Sequence, residues 1–422
     1  MNQAKNKQRQ FALETVKKLR NSGFEALWAG GCVRDSLLNI EPKDYDVATN
    51  ARPEQVRQIF GFRRTLNIGA SFGVVAITNR NKEAGIIEVA TFRSDGGYSD
   101  GRHPDSVEFT NAEEDAKRRD FTINGMFFDP IREEVIDYVG GRSDLADGKL
   151  RCIGNPQDRF MEDKLRMLRA VRFAARFDFA IEDRTLQAIR NSAEMISVVS
   201  KERIANEMRH ILCHPNRHVG LSLLQTTYLR DIVFFDSAIP NAKFRESDWQ
   251  DALQKSELIR TQNFELALAT VLWSQAQENG INVAENLAIH WKLSNKETCL
   301  VLHLLENEPT IRQANDSNWP TLQRILIKAD ADLLVEFADL ISSHANSPKT
   351  GVEYCRRKLE LDAQILNPAP LISGDDLIKE SIPTGRHFKL ILDAVRDAQL
   401  ENRIASKEQA LEYARRIWHE QN

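Results

Sequence analysis

"LWAGGCVRDSLLNIEPKDYDVATN" (residues 27–50) decides the fold. A short apolar run ends in Gly30 and Gly31, "CVRDSLL" follows with helical spacing, and "DYDVAT" reads as a second strand. A strand that runs through glycines into a helix places backbone N–H groups where a phosphate can sit, and Arg34 adds a planar two-pronged donor. Residues i and i+2 of a strand face the same side, so Asp44 and Asp46 would repel each other unless a cation lay between them. Mg²⁺ prefers one or two protein carboxylates together with substrate phosphates. Each half also has a plainer reading. A double glycine can serve tight packing, and two alternate aspartates can be an exposed strand end. Together, at this spacing, each supplies what triphosphate chemistry needs from the other.

The sequence around this stretch extends the pattern. "FGVVAIT" and "GIIEVATFR" are rich in β-branched residues and read as further strands, with "RPEQVRQIFG" a helix between strands. Upstream, "QFALETVKKLR" fits an amphipathic first helix. Glu88 sits on an apolar strand, where it is either an exposed glutamate or a third carboxylate for a cation. Residues 93–106, "RSDGGYSDGRHPDS", read as a polar loop of a length that is often functional. In "EEDAKRRDFTINGMFFD" (113–129), Arg118 and Arg119 enter the edge of a core and need anionic partners, either Asp115 and Asp120 or a triphosphate.

From about residue 155 the texture turns helical. "RFMEDKLRMLRAVRFAARF" carries Asp163, Arg166, Arg169 and Arg172 three apart, along one side of a helix. Such a row is commonly a solvated face. Here apolar residues fill much of the remaining circumference, and every cation of the row is arginine, which suits planar recognition. Asp163 can accept from an exocyclic amine while Arg166 donates to the neighbouring ring acceptor. Cytosine and adenine offer that pattern, and guanine and uracil offer the reverse, so mispairing would leave buried polar groups unsatisfied. Helix breaks are expected at "CHPNRH", "IPNAKFRESD", around Glu306–Pro309, at "NSPKTG" and at "NPAPLISGDD". His210, Cys213, His214 and His218 lie close in sequence, but a helix end accounts for them more simply than a zinc site. Trp273, Trp291 and Trp319 are expected in the core rather than as RNA-stacking surfaces.

Composition agrees with an ordinary globular chain of about two to four domains, with 422 residues, 42% hydrophobic and 28% charged. No apolar run is long enough to span a bilayer, and the basic N-terminus lacks the apolar core of a secretory signal. The five cysteines are scattered without a CxxC pair, which points to a reducing cytoplasm. The net charge of −4 weighs against a strongly basic nucleic-acid binder, although a local basic stripe is what matters electrostatically.

In order and spacing, "GGCVRD", "DYD", "EVATFR", "RRDFTING", "YVGGRSDLADGKLRCIGNP" and "RFMEDKLRMLRAVRFAA" resemble the class II tRNA nucleotidyltransferase and bacterial poly(A) polymerase family. The resemblance covers roughly residues 25–215, with weaker likeness in "VSKERIANEM" and near the C-terminus. It implies an α+β fold, with a small nucleotidyltransferase head built on a mixed or antiparallel sheet and then an all-helical neck, body and tail. The implied boundaries are 1–150 for the catalytic head, 151–215 for a base-recognising neck, 216–320 for the body and 321–422 for an RNA-binding tail. By position, Asp44 and Asp46 look like Mg²⁺ ligands and catalytic residues, with Glu88 a third catalytic carboxylate. Gly30, Gly31, Arg34, Arg119 and Asp120 look like nucleotide contacts of the head. Asp163 and Arg166 look like the base-reading pair, with Arg169 and Arg172 as further nucleotide contacts. The loop at 93–106 resembles the family's flexible loop. The implied partners are CTP, ATP and the 3′ end of tRNA or another RNA, with no membrane and no protein partner evident.

"TLNIGASFGVVAI" and the tyrosine-containing loop lean to CCA addition, whereas "EEDAKRRDFTIN" reads close to the poly(A) branch. CCA addition is the favoured expectation, and poly(A), A-only or CC-only addition are the alternatives. An inactive RNA-binding module is disfavoured by the complete motif set, and a small-molecule transferase by the neck helix and long helical portion.

Overall fold

The computed structural model describes residues 2–69, 73–79, 84–97, 106–235 and 243–420, with side chains from residue 6 onward apart from 67–69. The chain forms two compact units, residues 1–243 and 244–422.

The first unit opens with α1 (Asn2–Asn21), which buries Phe11, Ala12, Thr15, Val16 and Leu19 on one face, the helical spacing read from its sequence. It packs against β1 (Ala26–Ala29), which is buried at all four positions. After α2 (Gly31–Leu37) come β2 (Asp46–Thr49), α3 (Pro53–Phe60), β3 (Thr65–Gly69), β4 (Val74–Thr78) and β5 (Ile86–Thr91). Pro53 starts α3 where a missing N–H costs nothing. Next are β6 (Arg93–Gly96), β7 (Ser106–Phe109), α4 (Ala112–Lys117), β8 (Phe127–Asp129) and β9 (Glu134–Ile136).

Seven strands form one sheet in the order β3-β4-β5-β2-β1-β8-β9, antiparallel throughout except for the parallel β2–β5 pair. The mixed sheet expected from sequence is present, and its one parallel pairing matters most. It sets Asp46 directly beside Glu88. A core of Leu27, Ala29, Ala48, Phe92, Ala112, Ala116 and Phe127 fills one sheet face.

The helical portion of this unit contains α5 (Gly141–Ala146), β10 (Lys149–Leu150), α6 (Pro156–Glu162), α7 (Arg166–Phe177), β11 (Ala180–Ile181), α8 (Asp183–Ser192), α9 (Lys201–Leu212), α10 (Arg217–Thr226) and α11 (Arg230–Phe234). α7 buries Met167, Leu168, Ala170, Val171, Phe173, Ala174 and Ala175. It lies against α9 and α10.

The second unit is helical throughout its described residues, from α12 (Glu246–Leu258) and α13 (Phe264–Asn279) through α14 (Asn282–His290), α15 (Asn295–Arg312), α16 (Trp319–Leu326), α17 (Ala331–His344), α18 (Thr350–Leu359), α19 (Ala363–Leu366), α20 (Gly374–Lys379) and α21 (His387–Leu400) to α22 (Lys407–Glu420). Its C-terminal helices close over Leu377, Ile391, Val395, Ala398, Ala410 and Ala414.

Four sequence expectations change. Asp44 lies just before β2 rather than on it, because the ladder with β1 begins at the Ala29–Asp46 pair. Asp163 is not on the arginine-bearing helix. It ends α6, and its Oδ1 accepts from the Leu165 N–H at 3.1 Å, so it caps the break before α7. The segment expected as a loop at 93–106 begins and ends as the antiparallel β6–β7 pair, and residues 98–105 lie outside the described residues. No break occurs near Pro309, which sits inside α15. An internal proline costs about 3 kcal/mol. Burial of Leu304, Leu305 and Ile311, and of Glu308 bonded to Arg312 at 2.9 Å and Trp273 Nε1 at 3.0 Å, holds that helix together. Of the three tryptophans, Trp291 is fully buried, whereas Trp273 and Trp319 are half-buried.

Candidate active site

A polar pocket of about 840 Å³ opens between the glycine turn and helices α7 and α9. Gly30, Gly31, Arg34, Asp44, Asp46, Arg119, Asp120, Asp163, Arg166, Arg169 and Arg172 all line it. Residues that sequence reading scattered over about 140 positions therefore face one space. Glu88 does not line it.

The turn needs glycine. Gly30 has φ +69°, and its N–H bonds the Met126 carbonyl at 3.1 Å. A Cβ there would stand 2.9 Å from Arg119 Nη1. Gly31 then opens α2, whose first amides have no acceptor within the helix.

The carboxylate side of the pocket is electrostatically uncomfortable. Asp46 presents an open edge to solvent, yet the protein behind it desolvates its carboxyl. That burial, then Glu88 and, more weakly, Asp44, pushes it up to about 6 against a pull from Arg119. Among the described residues neither Asp44, Asp46 nor Glu88 forms an ion pair. Three acids crowded together without an ion-pair partner fit a bound cation. No three acidic, histidine or cysteine side chains among the described residues close into a metal cage. A site with two carboxylates, completed by phosphate oxygens, is the arrangement a hard divalent ion favours.

The arginines show the opposite arrangement. Eight of them line the pocket, and each is paired with a carboxylate, in two cases one shared with a second arginine. Arg34 bonds Asp35 at 2.8 and 2.6 Å and also donates to Asn124. Arg176 reaches the other oxygen of Asp35 at 3.0 Å. Arg118 and Arg119 share Asp115, at 2.7 and 3.0 Å. Arg169 makes two bonds to Asp120, at 2.9 and 2.6 Å. Asp120 also accepts from Asn124 at 3.0 Å, and these partners, led by Arg169, hold its carboxyl far below the usual range against the cost of burial. Asp120 thus orients Arg169 while lining the pocket. Arg172 pairs with buried Glu207 at 3.0 Å; burial lowers its guanidinium to about 10 despite that partner.

The expected base-reading pair is held from behind. Asp163 Oδ2 accepts from Arg203 at 2.8 Å. Arg166 donates to Glu162 at 2.5 Å and to the Arg159 carbonyl at 2.9 Å. Arg159 in turn bonds the carbonyls of Arg118 and Arg119, fastening α6 to the head.

Asn124, Asp35, Glu162, Arg176, Arg203, Glu207 and Phe173 were not singled out in the sequence as site residues. "VSKERIANEM" carried a signal for Arg203 and Glu207, four residues apart on one helix, whereas Asn124 of "RRDFTIN" lies in a short turn without a helical repeat. Among the described residues His210, Cys213, His214 and His218 form no metal cluster. His210 and His214 are pushed down by burial and by nearby Lys43 and arginines, as suits neutral imidazoles at a helix end.

Known proteins resemble this chain in sequence and fold. The model described as "Poly A polymerase head domain" matches residues 26–151, and "Probable RNA and SrmB- binding site of polymerase A" matches 178–239. The CCA-adding enzyme of Lactobacillus johnsonii is 31% identical over 95% of this chain and 95% of its own. That of Streptococcus thermophilus is 32% identical over 93% and 94%. The crystal structure of Bacillus stearothermophilus CCA-adding enzyme in complex with CTP superposes with a TM-score of 0.76 at 26% identity, covering 98% of each chain. A mixed-sheet head with a glycine turn, a carboxylate pair and an arginine-lined pocket defines a nucleotidyltransferase. Within that class, near-full-length identity above 30% shows that the chain belongs to the family of CCA-adding enzymes.

Proposed function

We propose that this chain adds C, C and A to the 3′ end of tRNA, taking CTP and ATP in turn without a nucleic-acid template. The observation that supports this most is the convergence, in one pocket, of the acidic pair, the Asp163–Arg166 pair and a cluster of arginines. The acidic pair with the arginines suits phosphate transfer, and the Asp163–Arg166 pair suits a base with an amine beside an acceptor.

Asp44 and Asp46 would hold a divalent cation, Mg²⁺, which supplies positive charge to ionise the RNA 3′-hydroxyl and to steady the leaving group. The hydroxyl gives up its proton to solvent as its oxygen attacks the α-phosphorus, the bond from that phosphorus to the oxygen bridging to the β-phosphate breaks, and pyrophosphate leaves with the bonding electron pair. Arg34 and Arg119, aimed by Asp35 and Asp115, receive the triphosphate beside the Gly30–Gly31 turn. Asp163 accepts from the exocyclic amine and Arg166 donates to the adjacent acceptor, each fixed from behind by Arg203 and Glu162. Glu88 acts from the neighbouring strand by raising the negative field at Asp46. The four-part division at residues 150, 215 and 320 is retained as head, neck, body and tail, with RNA held by the latter parts. Five unpaired thiols fit the reducing cytoplasm, and among the described residues no helix is long and apolar enough to cross a membrane.

The test uses tRNA lacking its 3′ end, tRNA ending in CC, and an unrelated RNA, each with CTP, ATP or both. The expected products are CCA on the first, a single A on the second and nothing on the third. Long A tails on the unrelated RNA would overturn the assignment in favour of poly(A) synthesis.

A further inference from the structure

The sequence of α7 repeats the dipeptide Arg-Phe four residues apart, as Arg172-Phe173 and Arg176-Phe177. That spacing brings the two rings onto one helix face. They stack nearly parallel, with centroids 6.3 Å apart and planes 9° from each other. Phe121 closes the far edge of Phe173 in a T-shaped contact at 5.9 Å.

Four pocket arginines lie over this pair. Arg34 sits in the notch of the two rings, its guanidinium carbon 5.2 Å from the Phe173 centroid and 4.6 Å from that of Phe177. Arg172 lies 4.4 Å from Phe173 and Arg169 5.3 Å from it. Arg176 lies 4.8 Å from Phe177. These arginines come from two elements, α2 and α7, and must stand close together although they repel. Carboxylates relieve part of that repulsion. They also compete with any incoming anion for the same donors. An aromatic face attracts a guanidinium through its quadrupole and leaves the in-plane N–H groups free for carboxylate or phosphate.

We propose that Phe173 and Phe177 form an aromatic pedestal that positions Arg34, Arg169, Arg172 and Arg176 for the triphosphate. The proposal rests on the reading of this pocket as a nucleoside triphosphate site. The pedestal holds the arginines in place while they exchange carboxylate partners for phosphate oxygens. Leucine at either position keeps apolar bulk and removes the quadrupole, so the loss falls on phosphate binding rather than on the base.

The experiment compares binding of CTP, CMP and inorganic tripolyphosphate to the full chain and to Phe173→Leu, Phe177→Leu and Phe173→Tyr, by calorimetric titration. Phe173→Leu should weaken CTP and tripolyphosphate by about tenfold and Phe177→Leu by about threefold, with CMP changed by less than about twofold and Phe173→Tyr near wild type. Equal weakening of CTP and CMP, or no weakening of either, would overturn the pedestal. If Phe173→Leu does not fold, the half-buried Phe177 decides through the same CTP-to-CMP comparison. Wild-type binding of tripolyphosphate without CTP would refute the nucleotide reading and leave the pedestal to be judged on tripolyphosphate alone. Failure of the wild type to bind either would remove both.

Discussion

Asp115 makes a sharp test of how the pocket is organised. Its Oδ1 accepts from Arg118 Nε and Nη2 at 2.9 and 2.7 Å, and its Oδ2 from Arg119 Nε and Nη2 at 3.2 and 3.0 Å. The carboxylate is 2% exposed and the two guanidiniums about a fifth. Asp115→Asn keeps the shape, removes the charge and turns an N–H₂ toward donors. Removing one partner of a buried ion pair costs about 3–5 kcal/mol, and the lower end applies because both arginines keep some contact with water. In a unit of this size each kcal/mol lowers Tm by about 2–4 °C, so the loss at pH 7 should be about 6–12 °C. The flanking arginines, Arg119 first, hold the Asp115 carboxyl below its ordinary value despite burial. Its stabilisation is therefore complete above the unfolded value of about 4 and drains away as pH falls further, through the folded value. The gap in Tm between wild type and variant should be constant from neutral pH down to about 5 and narrow below about 4. Calorimetric melting across that range measures it, and CTP affinity should fall about tenfold in the same variant as Arg118 and Arg119 lose their aim. A shift of under about 2 °C at pH 7, or a gap that widens in acid, would refute the reasoning.

Gly30→Ala should raise the KM for CTP by roughly five- to tenfold with a smaller change in kcat. The backbone there has φ +69° and the new Cβ would meet Arg119 at 2.9 Å; steady-state kinetics giving a wild-type KM would show that the turn tolerates a side chain. Arg203→Ala should loosen base choice, because Asp163 loses its 2.8 Å partner. Incorporation of UTP and GTP relative to CTP, read on tRNA lacking its 3′ end, should rise about tenfold, and an unchanged ratio would sink the template reading of Asp163.

Much of the head was legible because its signals are local. β-branched runs gave β4 and β5, a short apolar run into the glycines gave β1, and the GG turn and acidic pair each sit within a few residues. Asp163 was misplaced for a physical reason. A spacing of three suits a helix face, but an aspartate can also end one helix and cap the next, and "DKLR" reads equally well as that capping signal. Pro309 misled in the other direction, because buried neighbours override a local penalty. Asp115 was legible as a partner of Arg118 and Arg119, but the partners distant in sequence were illegible in principle. Asp35 meets Arg176 across 141 positions and Asp120 meets Arg169 across 49, and nothing local marks either pairing. The parallel β2–β5 register that sets Glu88 against Asp46 is likewise a property of the sheet rather than of either strand.

Because each arginine of the pocket already has an internal anion, the pocket is not a bare polycationic trap. A long RNA backbone gains little by lying there, since it must displace carboxylates that are tethered and cannot diffuse away. The same tethers act at the end of the cycle. If these arginines hold the triphosphate as proposed, each one that pyrophosphate abandons has a tethered carboxylate close by. Departure of the product would then be a swap of counterions rather than a separation of bare charges, and the pocket would be reset for the next nucleotide without waiting for ions from solution.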